Sequence, residues 1–318
     1  MNGPPLSPMR PAGAADGATA SSPRIHPVPA WDGRSLVDLM ALDERGPLNF
    51  RSRCGDVNAH GRAYGGQILG QALMAAARTI PAGRACTAMQ FLFLQGTLWD
   101  EALDLQVTPL QDGKRFSSRH VRGVQRDGRM VLDAQVSFAV PIDAPSHGAD
   151  PSVPLEDPER LPPVSALPAA WGESVRRAVG YEIGLKPVID FRFAAPPDRL
   201  RLDLPEPRIR FWLRTRDRLP DDPALHAAAF AYLSDWWLNY PATGGHQPEA
   251  EARGGLYVAS LNHALWLHRP LRADEGLHVE SVSPAAASGR GLSIARVHDR
   301  QGVLVASATQ ECLMAPRD

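Results

Sequence analysis

The sequence has few of the features that are typical of proteins with disulfide bonds, structural metal sites or nucleic-acid-binding surfaces. Its 318 residues include three cysteines, an odd number without a CxxC pair: Cys54, Cys86 and Cys312. This pattern argues against a disulfide framework or a zinc knuckle, and it predicts a reducing compartment. The formal net charge is -1 and no basic stripe alternates with aromatic residues, so we expect no nucleic-acid partner.

Long apolar runs are also missing. No stretch approaches the roughly 20 apolar residues that cross a bilayer. Residues 1–30 are rich in Pro, Ala, Gly and Ser and lack the apolar core of a secretory signal, so we interpret them as a flexible tail. The C-terminal residues carry no peroxisomal tripeptide. We therefore expect a cytoplasmic protein without a membrane span.

Several well-known catalytic motifs are absent as well. The sequence contains no G-x-S-x-G, P-loop, G-x-G-x-x-G or H-E-x-x-H motif. Serine-hydrolase, nucleotide-hydrolase, dinucleotide-binding and zinc-protease functions thus lack support. We expect an activity that uses neither a metal nor a cofactor.

What the sequence does contain is a diverged internal repeat. Three pairs of segments recur in the same order: 63–72 and 231–240, 115–128 and 290–302, and 131–141 and 305–316. The first pair is helix-like and the last is strand-like, so a helix-then-strands unit is predicted twice. The sharpest difference between the copies aligns Gln67 with Asp235, which indicates that the second copy carries the chemistry.

The periodicity of each copy predicts one apolar helix and an antiparallel sheet. Apolar residues cover nearly the whole circumference of a helix over 65–80, so this helix should be buried on most sides. Turn residues at Asp112-Gly113 and Asp127-Gly128 separate the strands that follow. The other predicted elements are strands at 86–94, 103–109, 115–125, 129–140, 189–193, 208–214, 256–268, 276–283, 291–298 and 303–314, and a helix at about 224–238.

A buried helix wrapped by an antiparallel sheet is the hotdog arrangement, and two copies in one chain make an α+β double hotdog. We predict an N-terminal hotdog unit at 31–141, a linker at 142–185 and a C-terminal hotdog unit at 186–318. The linker assignment rests on a segment rich in Pro, Asp and Ala. An unrelated pair of α+β domains is the alternative, but the agreement of repeat, order and turns favours the double hotdog.

Several motifs together make the chain similar to the acyl-CoA thioesterase II family. The similarity covers most of the chain from about residue 45 onward. The motifs are Tyr64-Gly65-Gly66-Gln67 with Gly70-Gln71-Ala72, Asp112 through Arg119, Tyr232-Leu233-Ser234-Asp235, Ser260 through Pro270, and Gly302 through Ser307 with Gln310-Glu311. The resemblance implies a double hotdog that hydrolyses fatty acyl-CoA thioesters.

The resemblance also implies the catalytic residues. In this family an Asp, a Thr or Ser hydroxyl and a Gln in the second unit hold the attacking water, and these roles fall on Asp235, Ser260 and Gln310. Family members commonly have Thr in place of Ser260 and Asp in place of Asn262. The strand at 86–90 lacks the histidines and serine common there, which predicts a changed acyl-chain preference or changed helper contacts.

The residue pattern itself supports two of these assignments. Asp235 lies beside Trp236 and Trp237, where an unsatisfied carboxylate has a raised pKa, and a raised pKa suits a general base. A carboxylate that accepts backbone N–H bonds at a helix start explains the same residue structurally. Gln310 interrupts an apolar face of alternating residues, so its amide needs partners. Ser260 taken alone is compatible with simple packing.

Further residues are predicted to contact the substrate. The Gly65-Gly66 start of the first helix leaves backbone N–H groups accessible to an anion or oxyanion, and Gln67 follows them directly. Arg115 is a candidate for the CoA phosphates, and His263 completes the predicted substrate-binding set. Other arginines that fit the phosphate role are Arg119, Arg122, Arg269 and Arg290.

Three alternatives stay open from the sequence. Asp235 could attack the thioester directly and form an anhydride. Asp56 and His60 resemble the catalytic pair of hotdog enoyl-CoA hydratases, although the spacing is one residue short and the usual Pro is absent. A non-catalytic acyl-CoA-binding module is the third alternative. Each of them has acyl-CoA as the ligand, and we expect a homodimer or higher homo-oligomer.

Overall fold

A computed structural model describes residues 33–58, 60–126, 128–163, 166–169, 186–193, 206–246 and 255–317. The predicted flexible tail at 1–30 lies outside the described residues. Four α-helices are described, two of them short: α1 Leu36–Met40, α2 Gly65–Ala77, α3 Pro223–Ser234 and α4 Tyr240–Thr243. In the described part of the chain, none of the helices is long and apolar enough to cross a membrane.

Among the described residues, twelve strands form one antiparallel sheet. They are β1 Leu42–Gly46, β2 Asn49–Ser52, β3 Ala85–Phe93, β4 Asp104–Asp112, β5 Phe116–Gln125, β6 Arg129–Ala139, β7 Ile189–Phe193, β8 Arg208–Thr215, β9 Leu256–Leu267, β10 Leu277–Ala287, β11 Arg290–His298 and β12 Leu304–Pro316. Their order in the sheet is β1-β2-β4-β5-β6-β3-β9-β12-β11-β10-β8-β7. The two halves of this order mirror each other about the β3–β9 junction.

The two halves also share one chain order. Each has two strands, a long helix and four further strands, so β1, β2, α2 and β3–β6 correspond to β7, β8, α3 and β9–β12. The units join where β3 pairs with β9, from Ala88 opposite Trp266 to Leu92 opposite Asn262. This architecture is the predicted double hotdog, and the structure places every predicted strand within a few residues of its expected position.

Both predicted helices end earlier than expected, α2 at Ala77 instead of residue 80, and the difference in α3 changes how the repeat is understood. α3 ends at Ser234 instead of continuing to about residue 238. Asp235 is therefore the C-cap of α3, whereas Gln67 lies in the first turn of α2. The sequence alignment implied that the two residues are equivalent positions of the repeat, but the structure shows that they are not.

Segment 142–163 runs over the second unit without strand or α-helix among its described residues. The backbone N–H and the hydroxyl of Ser152 donate hydrogen bonds to the Glu280 carboxylate on β10. The His298 Nε2 on β11 lies 3.1 Å from the carbonyl oxygen of Ala149 and donates to it. These bonds hold the segment against the sheet at buried polar side chains.

The two long helices pack against each other in opposite directions at the centre of the molecule. Both are buried along almost their whole length, as expected for helices that are apolar on most sides. Glycines permit the close approach: a Cβ on Gly66 would lie 2.2 Å from the Tyr232 carbonyl oxygen, and one on Gly70 would lie 2.8 Å from that of Ala228. The start of α2 therefore meets the end of α3.

This contact gives a first testable prediction. We expect Gly66→Ala to destabilise the protein by about 1–3 kcal/mol, because its methyl group would force backbone shifts in a tightly packed interface. Urea unfolding followed by circular dichroism measures the loss. Gly113→Ala is the matched control, since its added Cβ would meet no atom closer than 3.4 Å. An equal loss in the two variants would contradict the proposed steric cause.

Candidate active site

Asp235 sits at the point where α3 ends and the chain turns sharply. Trp237, two residues later, has φ 63°, a left-handed backbone conformation that is rare for a bulky residue. The Trp237 ring packs against Phe193 at 5.1 Å and Tyr240 at 4.7 Å between centroids. This aromatic packing holds the strained turn and places the carboxylate of Asp235 next to the second half of the sheet.

Gln310 links that carboxylate to the sheet. Its amide nitrogen donates one hydrogen bond to Asp235 Oδ1 at 2.6 Å and another to Ser260 Oγ at 2.8 Å. The three residues predicted to be catalytic thus lie together, although α3, β9 and β12 supply one each. The Gln310 side chain is fully buried, and within the described part of the chain its Oε1 has no hydrogen-bond partner.

A β-bulge turns Ser260 towards Gln310. Between β9 and β12, Asn262 lies opposite Glu311 while Ser260 lies opposite Cys312, which leaves one extra residue in β9. Because side chains alternate between the faces of a strand, the bulge moves Ser260 from the face of Asn262 to the inner face of Gln310 and Cys312. Regular alternation would have pointed the hydroxyl away from the site.

Asn239 is a site residue that the sequence analysis missed. Its amide nitrogen donates to Ser260 Oγ at 3.2 Å, so this oxygen accepts from both Asn239 and Gln310. A hydroxyl has two acceptor lone pairs and one donor proton. With both lone pairs occupied, the Ser260 O–H is oriented to donate to a further group. Asn239 belongs to no recognisable motif. It lies near Ser260 only because it follows the turn at Trp237.

The start of α2 provides the opposite wall of the site. The backbone N–H of Gly66 donates to the Asp235 carboxylate, and a Cβ on Gly65 would lie 2.6 Å from Asp235 Oδ2 and 3.1 Å from the Phe93 ring. A side chain at position 65 would therefore collide with the carboxylate. The positive end of the α2 dipole also faces Asp235 and favours its charged form.

Burial nevertheless raises the pKa of Asp235 above its usual range. Loss of hydration disfavours the charged carboxylate. The hydrogen bonds from Gln310 and Gly66 and the positive charge of Lys186 oppose this shift without cancelling it. The outcome is a carboxylate that accepts a proton more readily than a free aspartate does.

A buried ionic cluster lies behind α2 and α3. Lys186 Nζ contacts Asp56 Oδ1 at 2.5 Å and donates to the Val57 carbonyl oxygen at 2.8 Å. The Tyr232 hydroxyl donates to Asp56 Oδ2 at 2.9 Å. Burial lowers the pKa of Lys186, and the neighbouring Asp56 opposes this effect. The cluster ties a loop of the first unit to residues of the second, close to Asp235.

Gln67 and His263 are buried and already paired. The Gln67 amide donates to the Cys54 carbonyl oxygen and accepts from the Asp56 backbone N–H. His263 Nε2 lies 3.0 Å from the hydroxyl of Ser234, the residue before Asp235. Burial lowers the pKa of His263 to about 3, so its ring is neutral. Both residues hold parts of the site in place, and each has only 1% of its surface exposed.

Comparison with known proteins places this geometry in a family. The family models for the acyl-CoA thioesterase N-terminal and C-terminal domains match residues 55–139 and 158–314. The chain is 32% identical to acyl-coenzyme A thioesterase 8 of Mus musculus over 286 residues, which cover 87% of each chain. The chain belongs to the acyl-CoA thioesterase II family. It is accordingly a thioester hydrolase.

Solved structures agree with this assignment. An acyl-CoA thioesterase II, TesB2, from Mycobacterium marinum is 30% identical, with a TM-score of 0.73 over 89% of this chain and 99% of that one. A protein of unknown function with a hot dog fold from Alicyclobacillus acidocaldarius has a TM-score of 0.70 at 16% identity, over 89% and 98% of the two chains. The latter supports the fold alone, and together they confirm the double hotdog.

The expected departures from the thioesterase II pattern lie at different distances from the site. Ser260 keeps the hydroxyl at the centre of the hydrogen-bond network. Asn262 instead points to the other face of β9, where its amide donates to Glu311 Oε2 and accepts from the Glu311 backbone N–H. The loss of a charge at position 262 therefore does not alter the direct surroundings of Asp235.

Arg115 is not brought to the site. Arg115 is exposed and directly precedes Phe116, the first residue of β5. Phe116 and Ala85 of β3 both pair with Ala139 of β6, so these three residues lie in one row across the sheet. Phe91 of β3, which pairs with His263, is six residues further along this strand, or roughly 20 Å at 3.3 Å per residue. Arg119 is buried and paired with Asp112, so it too is unsuited to bind a ligand.

Asp56 and His60 do not form a catalytic pair. The Asp56 carboxylate is occupied by Lys186 and Tyr232, whereas His60 is exposed and packs near the Tyr257 ring at 6.4 Å between centroids. The resemblance to a hydratase signature is therefore not supported by the geometry. Among the described residues, no group of three or more His, Cys, Asp or Glu side chains is placed to hold a metal ion.

Proposed function

We propose that the protein hydrolyses fatty acyl-CoA to a free fatty acid and CoA, with Asp235 activating a water molecule that Ser260 and Gln310 help to hold. The observation that best supports this proposal is the position of the Gln310 side-chain amide. Its two N–H groups reach Asp235 and Ser260 at once, at 2.6 and 2.8 Å, so one side chain sets the spacing of a base and a hydroxyl donor.

The hydrogen-bond directions favour one arrangement of the water. The Ser260 O–H, whose lone pairs are taken by two amides, donates to the water oxygen. The water in turn donates one proton to the Asp235 carboxylate and keeps a lone pair for attack. The free Gln310 Oε1 accepts its second proton. Each group then makes the type of hydrogen bond for which it has capacity.

Hydrolysis follows from this arrangement. Asp235 takes a proton as the water oxygen bonds to the thioester carbonyl carbon, and its raised pKa suits this role. The positive end of α2 at Gly65 stabilises the negative charge that develops on the carbonyl oxygen. The C–S bond then breaks, and the departing CoA sulfur takes the proton from Asp235. The carboxylate is thereby regenerated.

The residues next to Asp235 adjoin an apolar part of the core. An apolar pocket lies beside Ser234 and Trp236, the neighbours of Asp235, between α3 and the second half of the sheet. Its lining includes Phe211, Phe230 and Val279. The cavity measures only about 10 Å³ in this structure, so a fatty acyl group would have to displace these apolar side chains to bury its methylene groups, each worth about 0.8 kcal/mol.

Release of free thiol from decanoyl-CoA tests the function directly. We expect wild type to release CoA, and Gln310→Ala to lower kcat by about 10²-fold, the effect of removing one positioned donor from an active site. Gln135→Ala, an exposed glutamine on β6, is the matched control and should keep full activity. Binding of decanoyl-CoA without thiol release by wild type would contradict the proposal, as would full activity in Gln310→Ala.

Assembly, location and domain limits stay predictions. We propose a homodimer or higher homo-oligomer in the cytoplasm, with hotdog units at 31–141 and 186–318. Light scattering on a size-exclusion column measures the oligomeric state. An acyl-CoA panel from short to long chains would then define the preferred chain length.

A further inference from the structure

Three arginines surround a surface pocket beside the candidate active site. Arg62, Arg126 and Arg129 line it together with Leu98 and Gly128. Arg62 comes from the loop before α2, and the other two come from the turn between β5 and β6. Residues distant in sequence thus direct three guanidinium groups into one concave region.

The described lining of the pocket contains three arginines and no carboxylate. Within the described part of the chain, Arg62 forms no ion pair and Arg126 pairs only with Glu101. Arg129 donates from Nη2 to the Gly96 carbonyl oxygen at 3.2 Å, a bond that positions its guanidinium group without neutralising it. Arg62 and Arg126 are exposed, so an incoming anion can reach them.

Two chain segments connect this pocket to Asp235. Arg62 is three residues before Gly65, whose backbone adjoins the Asp235 carboxylate, so the two Cα atoms are at most about 11 Å apart. Gly96 borders the pocket from the other side, since a Cβ there would lie 3.5 Å from Arg62 Nε. It is three residues after Phe93, which also adjoins Gly65. The Cα atom of Arg62, at the rim of the pocket, is therefore at most about 15 Å from the Asp235 carboxylate.

This distance fits the chemistry of CoA. The pantetheine arm between the thioester sulfur and the pyrophosphate spans about 15 Å when extended, by comparison with a peptide of similar bond number. Guanidinium groups bind phosphate oxygens in bidentate fashion and keep their charge at any working pH. We propose that Arg62, Arg126 and Arg129 form the subsite that binds the phosphate groups of CoA. The inference rests on the proposed thioesterase function.

Two substrates separate phosphate binding from chemistry. Decanoyl-CoA carries the phosphates, whereas the decanoyl thioester of N-acetylcysteamine has the same reacting bond without them. We expect Arg62→Ala/Arg129→Ala to raise KM for decanoyl-CoA about tenfold or more, since hydrogen bonds between charged groups are lost, with kcat unchanged. Both constants for the N-acetylcysteamine ester should stay at the wild-type value. Adenosine 3′,5′-bisphosphate should inhibit wild type more strongly than the variant.

Arg45→Ala is the matched control, because Arg45 is an exposed arginine on β1, at the far edge of the sheet. It should leave both substrates unaffected. An unchanged KM for decanoyl-CoA in the double variant would overturn the phosphate subsite, as would equal changes with the two substrates. Failure of wild type to cleave either thioester would instead overturn the proposed function. The two failures are therefore distinguishable.

Discussion

Asp235→Asn is expected to lower kcat for decanoyl-CoA by about 10²–10⁴-fold, the contribution of a positioned general base. The amide keeps the size of the side chain but cannot take a proton from water. KM should change much less, because no predicted binding contact is removed. Thiol release under saturating substrate measures the effect. Asp104→Asn, which alters a partly exposed carboxylate paired with Arg51, is the matched control and should retain activity.

Stability separates this loss of activity from unfolding. The pKa of Asp235 is raised in the folded protein, so the protonated form stabilises the fold. That stabilisation is complete below the unfolded pKa of about 3.9 and is lost as the pH rises through the folded pKa. An uncharged Asn avoids the loss. We therefore expect Asp235→Asn to melt at or above the wild-type temperature at pH 7; a much lower melting temperature would mean that activity is lost through unfolding.

The same shift sets the pH dependence of wild type. The base is active only when ionised, so kcat/KM should fall as the pH drops through the raised pKa of Asp235. The acid limb of the profile should thus lie above the usual aspartate range. A limb centred near or below about 3.9 would show that Asp235 does not control the rate.

Labelled water distinguishes a base from a nucleophile. In a single turnover in ¹⁸O water, activation of water by Asp235 places the label in the fatty acid and leaves the carboxylate unlabelled. Direct attack would form an anhydride whose hydrolysis can leave the label in Asp235. Mass spectrometry of the peptide that contains Asp235 measures this incorporation. A labelled carboxylate would contradict the water mechanism.

The strands and the buried helices were predictable because local pattern determines them. In β12, Ala306, Ala308, Gln310 and Cys312 alternate towards the core, and all four are buried. Period-two alternation identifies such a strand and also marks Gln310 as a polar side chain in need of partners. The same signal explains why β7, at Ile189–Phe193, was located at its observed bounds.

The inward position of Ser260 was not predictable in this way. Its orientation depends on the bulge in β9, where the register with β12 shifts by one residue. A one-residue shift reverses every following side chain between the two faces, and nothing in the local composition of β9 signals it. The resemblance to a family identified the residue, whereas its geometry required the pairing of two strands distant in sequence.

The repeat itself had a different meaning from the one its alignment indicated. Gln67 and Asp235 are not equivalent, because they belong to the first turn of one helix and the C-cap of the other. The antiparallel packing of α2 and α3 instead puts Gly65 and Gly66, at the start of α2, beside Asp235 at the end of α3. The first unit thus supplies a wall of the site at Gly65 and Gly66, and the second supplies the carboxylate.

Charge placement was the least predictable part of the site. The sequence contains many arginines, and Arg115 belongs to a family motif. Arg62 nevertheless lies much closer to Asp235 in space, because it is three residues from Gly65, which adjoins the Asp235 carboxylate. Lys186 lies between apolar neighbours, Leu185 and Pro187, and belongs to none of the sequence motifs, so its role was not predicted. Its importance follows only from tertiary burial beside Asp56.

Lys186→Met is expected to destabilise the protein by about 3–5 kcal/mol, because it leaves the Asp56 carboxylate buried without its cation. It should also move the acid limb of the kcat/KM profile to higher pH, since the positive charge of Lys186 favours the ionised form of Asp235. Urea unfolding and a pH profile of decanoyl-CoA hydrolysis measure the two effects. Lys114→Met, at an exposed lysine, is the control.

A second substitution tests whether the stability effect comes from the uncompensated charge. Replacing both ions, as in Lys186→Met/Asp56→Leu, removes the buried carboxylate and should recover much of the lost stability, because buried ion pairs contribute little net free energy relative to apolar replacements. The shift of the pH profile should persist in the double variant, since it depends on the missing cation alone. Additive losses from the two substitutions would show that Lys186 and Asp56 stabilise the fold independently, contrary to the 2.5 Å contact between them.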